Sequence, residues 1–456
     1  MIPLTFKEAA EAVHSVSELE GTFENVCTDT RKIIKGCLFI CIKGENFDGN
    51  EFAAKAIEGG AAAVICERDT GLKEKQIIVE NSRTALLELA GYYRSLFNIP
   101  VIGITGSVGK TTTKEMTHAV MSAKFNTLKN EGNLNNEIGV PLTLFRLDKS
   151  HEAAVIEMGM SGFGEISRMT AAVRPDAAII SNIGVSHIEK LGSREGILKA
   201  KLEILESMKA DSPLILNADN DMLKTVEANG RPLIWYGIEN EICEYKAKDV
   251  VSDENGSDFI LKNGEKEFKA KLPCSGIHNV YNALAAAAAG KLFGISEDEA
   301  LEALKKYVPS GMRQRITKKN DITFIEDCYN ASPDSQAAAM AVLGSMNAKR
   351  KIAVAGDMLE LGCVSEKAHY DVGVRAAENK IDIMLTYGER AKETARGAKE
   401  NGIENVMSFT DKAELTAKLL EMLSQGDAVL FKASRAMKLE DIIYSVYESL
   451  ENGENK

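Results

Sequence analysis

The chain has 456 residues, more than a single hydrophobic core usually serves, so about two or three domains are expected. With 45% hydrophobic and 27% charged residues it has an ordinary globular composition, and a formal net charge of −12 argues against a nucleic-acid surface. An acidic chain can still hold an anionic nucleotide in a local nest of backbone amides.

Met1-Ile2-Pro3-Leu4-Thr5 carries no basic-then-apolar leader, and no stretch approaches the uninterrupted apolar length of a membrane span, so a cytoplasmic location is expected. Short apolar runs at Cys37–Ile42, Ala61–Cys66 and Gln76–Val79, with a helix-like stretch at Asn50–Gly60, predict a small α/β domain. A helical pattern over Arg83–Phe97 then leads to the junction Asn98-Ile99-Pro100. Strands are expected at Val101–Thr105, Ala153–Glu157, Ala177–Asn182 and Leu214–Asn217, the rhythm of a mostly parallel sheet. Residues 231–275 read as a β-rich excursion, followed by a helix that starts at His278–Asn282 and is rich in alanine from Asn282 to Ala289. From about Met312 the alternation restarts, with strands at Thr323–Glu326, Lys351–Ala355, Asp382–Tyr387 and Ala428–Lys432 in a parallel sheet of their own. The eight cysteines show no CxxC or Cys/His pairing, which predicts reduced, mostly buried thiols.

Chemistry concentrates first at residues 102–116. An apolar strand enters Gly106-Ser107-Val108-Gly109-Lys110-Thr111-Thr112-Thr113 and opens onto a helix. Such a turn faces successive N–H groups at phosphate oxygens, with Lys110 reaching the β/γ-phosphates and the Thr111 hydroxyl placed for Mg²⁺. The spacing of the two glycines is shorter than in the common GxxxxGK[ST] loop, so this is a variant phosphate loop, read as ATP-binding.

Further polar clusters end the neighbouring strands, and each has a plain structural alternative. Glu157 closes an apolar strand where a carboxylate can hold Mg²⁺. His187 can ligate a metal or only cap a loop. Lys199-Ala200-Lys201 reads by default as a solvated basic face. Asn130–Pro141 can donate to a phosphoryl or acyl oxygen, or simply turn. Asn279 and Asn282 can read an adenine edge or cap the alanine-rich helix. Arg313 can clamp a phosphate or ribose across a domain boundary, or form a surface charge pair. Ser434 and Arg435, expected to open the final helix, can bind a carboxylate.

Together these motifs resemble the Mur ligases, ATP-dependent amide ligases that assemble the peptidoglycan stem peptide. The resemblance covers essentially the whole chain and rests on residues 106–115, Asn133–Pro141, Asp327–Pro333, Gly356–Gly362 and Ser434–Met437. It implies a small α/β N-terminal UDP-binding domain (1–98), a central P-loop ATPase domain with a mostly parallel sheet (99–311) and a C-terminal Rossmann-like domain (312–456). Thr28-Asp29-Thr30-Arg31 and Gly44-Glu45-Asn46-Phe47-Asp48-Gly49 are similar to the family's UDP-sugar elements. Lys110 and Thr111 are then assigned to phosphate and Mg²⁺, and Glu157 and His187 to the metal shell. Lys201 matches a lysine that other members carbamylate, which would turn a basic side chain into an anionic oxygen ligand. Asn279 and Asn282 would face adenine and Arg313 the nucleotide, while Asn135, Asn136, Asp327, Tyr329, Asn330, Ser434 and Arg435 would line the substrates.

The substrates so implied are UDP-N-acetylmuramoyl-tripeptide and D-alanyl-D-alanine, with ATP and Mg²⁺, in a monomer without nucleic acid or membrane span. Members that add diaminopimelate or lysine carry Asn-Pro-Arg, absent here, and Thr-Asn where this chain has Ser107-Val108. Folylpolyglutamate synthase is the alternative within the ligases. A nucleotide switch would hydrolyse without an amino-acid substrate, and a non-catalytic UDP-sugar binder would not need Lys110.

Overall fold

Near the N-terminus, Val26–Cys27, Leu38–Ile40, Ala63–Cys66 and Gln76–Ile78 pair in sequence order as a four-stranded parallel sheet. Their side chains are almost all buried, as expected where helices cover a parallel sheet. The computed structural model describes residues 1–44, 47–309 and 311–451. Glu45 and Asn46, part of one predicted UDP-sugar element, lie outside the described residues. Ahead of this sheet, Leu4–Thr5 and Thr22–Phe23 form a small antiparallel pair. The helix expected over Asn50–Gly60 begins as a 3₁₀ turn, Gly49–Phe52, and becomes α-helical at Ala53–Glu58.

A nine-stranded central sheet spans residues 101–272. Seven strands run parallel, in the order Tyr245–Asp253, Leu233–Gly237, Leu214–Asn217, Ala177–Ile180, Val101–Thr105, Ala153–Glu157, Thr127–Lys129. The predicted excursion supplies the antiparallel extension Gly256–Asn263 and Lys266–Leu272. The strand ending at Ile180 is two residues shorter than expected, because Ser181 and Asn182 turn to bond the phosphate loop. The alanine-rich helix runs over Ile277–Leu292, beginning beside His278 as read from the sequence. Its small side chains let it lie close on the phosphate-loop helix Lys110–Met121, where a Cβ on Gly290 would meet Val120. Larger residues there would overpack the seam at a cost of about 1–3 kcal/mol.

The C-terminal sheet has six strands in the order Arg315–Lys319, Ile322–Glu326, Asp427–Lys432, Arg350–Gly356, Ile383–Tyr387, Asn405–Phe409. It corrects the all-parallel expectation. Arg315–Lys319 is an antiparallel edge, joined to Ile322–Glu326 across Asn320 and Asp321, both at positive φ. Its charged, partly exposed residues gave no apolar run to read, but they suit an edge. The eight cysteines are free thiols, six of them buried, as expected.

Candidate functional site

The phosphate loop leaves the C-terminal end of Val101–Thr105 in the middle of the central sheet, where strand connections diverge to either side. Gly106 and Gly109 both adopt positive φ, and a Cβ on Gly106 would strike Ser181 Oγ. The neighbouring strand end holds the loop in shape. Ser107 N donates to Asn182 O (3.0 Å), Val108 N to Asn182 Oδ1 (2.8 Å) and Ser181 Oγ to Val108 O (2.6 Å). Thr113 Oγ1 donates to Asn282 Oδ1 (3.0 Å), tying the loop's helix to the alanine-rich one. Among the described residues, the first-turn amides of Lys110, Thr111 and Thr112 have no protein acceptor. Three converging donors at a helix N-terminus make an anion cradle. Lys110 Nζ sits within it, donating to Gly106 O (2.8 Å) and Ser107 O (3.3 Å). Burial, reinforced by the Arg313 charge and opposed by Glu157, lowers the Lys110 pKa.

Glu157 is buried on the adjacent strand. Its Oε1 accepts from Thr111 Oγ1 (3.2 Å) and Asn135 Nδ2 (2.7 Å), whereas Oε2 has no hydrogen-bond partner and its nearest cation, Lys114 Nζ, is 3.8 Å away. An orphaned carboxylate oxygen beside a hydroxyl and a phosphate cradle fits a hard divalent cation. Among the described residues no cluster of three or more His, Cys, Asp or Glu that could hold a metal ion forms.

A cavity of about 870 Å³ opens over the loop, and residues of the C-terminal domain line it from across. It brings together Ser107–Thr112, Asn135, Asn136, Glu157, His187, Asn279, Asn282, Arg313, Asp327, Tyr329, Asn330, Ser434 and Arg435. The Arg313 guanidinium stacks 4.3 Å over the Tyr329 ring and Arg435 lies 5.9 Å from it, so two cations share one aromatic face. Buried Lys432 anchors the loop that carries Tyr329, donating to Asp327 Oδ2 (2.6 Å) and Asn330 O (3.2 Å).

Family models match in three segments: the Mur ligase family catalytic domain over residues 22–94, the Mur ligase middle domain over 104–290 and the Mur ligase glutamate ligase domain over 312–435. The UDP-N-acetylmuramoyl-tripeptide–D-alanyl-D-alanine ligase of Bacillus subtilis strain 168 is 42% identical over 98% of this chain and 99% of its own. The chain belongs to the Mur ligase family.

Two solved structures share its architecture. The UDP-N-acetylmuramoylalanyl-D-glutamyl-2,6-diaminopimelate–D-alanyl-D-alanyl ligase of Acinetobacter baumannii matches with TM-score 0.87 and 31% identity, over 98% of each chain. The Thermotoga maritima MurF ligase in complex with ADP matches with TM-score 0.86 and 28% identity, over 94% of this chain and 98% of the other.

Several expected residues of this Mur ligase stand differently from their sequence reading. Lys201 is not on a solvated face: it is 1% exposed while Lys199 is exposed, because positions two apart on the helix Arg194–Leu202 face opposite sides. Burial, and then the Lys110 charge, push its pKa well below the ordinary lysine value. His187 lines the cavity with φ +63°, but its Nδ1 lies 2.5 Å from Glu360 Oε2 of the C-terminal domain. Asn279 and Asn282 are not caps, since Gly276 occupies that position; Asn279 Nδ2 instead donates to Ser275 O and Gln314 Oε1. Ser434 opens a 3₁₀ turn, Arg435–Met437, and not the final helix, which begins at Glu440. Its Oγ accepts from Leu359 N (3.0 Å).

The N-terminal elements lie outside the cavity. Thr28–Arg31 and Phe47–Gly49 follow the C-terminal ends of adjacent parallel strands, Val26–Cys27 and Leu38–Ile40, where ligands of open α/β sheets bind. Asp29 and Arg31 form an ion pair (2.7 Å), Asp48 pairs with Arg68 (2.6 Å), and Phe47 is 57% exposed. Gly106, Thr113 and Lys201 support the cavity without lining it.

Sequence reasoning missed Lys114, His278, Gln314, Glu360 and Lys432. Lys114, one helical turn beyond Lys110 on the same face, carried a periodicity signal. Glu360 lay within the Gly356–Gly362 segment, and His278 and Gln314 adjoin Asn279 and Arg313, but none of the three carried a role of its own, and Lys432 carried no signal.

Proposed function

We propose that this chain joins D-alanyl-D-alanine to UDP-N-acetylmuramoyl-tripeptide at the expense of ATP, through an acyl phosphate, as a cytoplasmic monomer. The observation that carries the reading is the cavity in which an anion cradle, an unpartnered Glu157 oxygen and C-terminal cations face one another. Its kinship with ligases of that name supports the substrate pair. We infer domain limits at 1–98, 99–311 and 312–456, because each sheet closes within one of these ranges. Among the described residues no helix is long and apolar enough to cross a membrane.

A carboxylate is a poor acyl donor, so its oxygen first attacks the γ-phosphorus of ATP and ADP leaves. The dipeptide amine then attacks the acyl carbon, loses its proton, and phosphate departs. The Lys110–Thr112 amides hold the phosphates, and the Lys110 ammonium offsets the charge that builds on the transferred group. Asn135, hydrogen-bonded to Glu157, keeps that carboxylate's second oxygen free. Thr111 and Glu157 would hold Mg²⁺, which would supply positive charge to offset the negative charge of the phosphates. Arg313, stacked on Tyr329, closes over the nucleotide from the C-terminal domain, while Ser434 and Arg435 receive the dipeptide carboxylate.

The test is ADP release with UDP-N-acetylmuramoyl-tripeptide, ATP and Mg²⁺, with and without D-alanyl-D-alanine. Release that depends on the dipeptide is expected. Release indifferent to it, or supported instead by folate and glutamate, overturns the substrate assignment.

A further inference from the structure

An extended substrate with a nucleotide at one end and a reacting carboxylate at the other must cross from the N-terminal domain to the cavity. A continuous line of contacts marks that route. Asp48 Oδ1 accepts from Asn50 Nδ2 (2.7 Å), Asn50 Oδ1 from Glu67 N (2.8 Å) and Glu67 Oε1 from Ser82 N (2.9 Å). The next residue, Arg83, reaches out of the N-terminal domain toward Glu137 of the central one, Nη1 to Oε2 at 3.6 Å. The other Glu137 oxygen accepts from Arg168 Nε. Glu137 directly follows Asn136, and Arg168 lies one turn beyond Glu165 on the helix Glu165–Val173; both Asn136 and Glu165 line the cavity.

The hydrogen bonds on this bridge are unevenly spent, although Glu165 and Glu203 also place negative charge near Arg168. The Glu137 carboxylate is 10% exposed, while the Arg83 and Arg168 side chains are 44% and 47% exposed. Two guanidinium groups share one buried anion. Each spends a single edge on it, and among the described residues neither has another hydrogen-bond acceptor. A guanidinium has five N–H donors in a planar fork suited to a second carboxylate. An interdomain strap built for stability alone needs one arginine; here two half-exposed guanidinium groups keep donors unspent beside residues that lead into the cavity.

We propose that Arg83 and Arg168, held by Glu137, form a carboxylate-recognition site for the middle of the stem peptide, a reading that rests on the proposed function above. The peptide named for the Acinetobacter baumannii relative, alanyl-D-glutamyl-2,6-diaminopimelate, shows what is available. A glutamyl residue bonded through one carboxyl keeps the other free, and diaminopimelate has a second carboxyl besides the one that reacts. Both are carboxylates at neutral pH. The site therefore takes a non-reacting carboxylate and fixes where the reacting one stands.

The experiment measures KM separately for the sugar-peptide, ATP and D-alanyl-D-alanine in the wild type, Arg83→Ala and Arg168→Ala. Dipeptide-dependent ADP release by the wild type is established first, so failure of the underlying reading is seen separately. Each variant is expected to raise KM for the sugar-peptide about tenfold, the weight of one charge-assisted hydrogen bond, leaving the other two KM values in place. Two analogues, one amidated at the free glutamyl carboxyl and one at the second diaminopimelate carboxyl, identify the source. Whichever amide costs the wild type a similar factor, and the variants little, removes the recognised group. An unchanged KM, equal increases for all three substrates, or amides that penalise wild type and variants alike overturn the proposal. Arg168→Lys, which keeps charge but not the fork, gives the same comparison if either alanine variant fails to fold.

Discussion

Burying the Lys201 side chain beside Lys110 is unfavourable twice over, through lost hydration and through like-charge repulsion. Both penalties vanish for the neutral amine, which is also the form that adds carbon dioxide, forming a nitrogen–carbon bond and releasing a proton. The carbamate so made would be an anion facing Lys110 in place of a cation. On this reading Lys201→Ala loses dipeptide-dependent ADP release by about a hundredfold or more, the scale of one lost preorganised group. A short carboxylate such as acetate should restore part of it. An alanine variant as active as the wild type removes the carbamate. The sequence held this residue in plain view without showing its burial, because Lys199 and Lys201 look alike until the helix Arg194–Leu202 is docked. Gly106, Lys110 and Thr111 were legible because their chemistry is local: one turn of backbone carries both the glycines and the donors. Glu360 was not, since its role depends on His187 in another domain.

At the scale of elements, the loop between Arg350–Gly356 and the helix Ser365–Glu378 brings Glu360 and Leu359 to the cavity, and one buried histidine pins it. His369 Nε2 accepts from Met358 N (2.9 Å), and Nδ1 contacts Ser365 O (2.7 Å), which fixes the neutral tautomer protonated at Nδ1. Burial is the main cause that lowers its pKa from the ordinary 6.5. The unfolded chain therefore binds this proton at a higher pH than the folded one. The stability it contributes is complete above 6.5 and is lost as pH falls from there through the lower folded-state pKa. The melting temperature of the wild type should drop more steeply than that of His369→Gln between about pH 7 and pH 5.5; parallel slopes refute the pinning role. Elements announced by buried apolar runs, such as Ala153–Glu157 and Ala428–Lys432, were readable from sequence. The exposed edges Arg315–Lys319 and Asn405–Phe409 were not, because their residues gain no burial that would leave a pattern.

Across the whole molecule, apolar packing is shared unevenly. One continuous cluster runs from Leu4, Phe6 and Tyr93 of the N-terminal domain to Met169, Ile180 and Leu216 of the central domain. Tyr93 OH, buried at that seam, donates to Leu147 O (2.6 Å), and Gly91 lets its helix approach Ala172 closely. The C-terminal domain has its own clusters on either side of its sheet, with Val185 as the central-domain residue packed against one of them. Its junction is otherwise polar: His187 meets Glu360, Asn279 bonds Gln314, and Asp334 stands against Gly184. Polar junctions of this kind come apart before shared cores do. Heating should thus give two calorimetric transitions, one for the joined N-terminal and central domains and one for the C-terminal domain. The same asymmetry predicts that the C-terminal domain is the body that moves. Lys110 and Arg313 line the cavity from opposite sides of that junction; if both hold the nucleotide, as the proposed function requires, scattering should report a more compact particle with nucleotide and sugar-peptide than without. A single cooperative transition, together with identical scattering profiles, would mean that the three domains are one rigid unit and that ATP enters a site already closed.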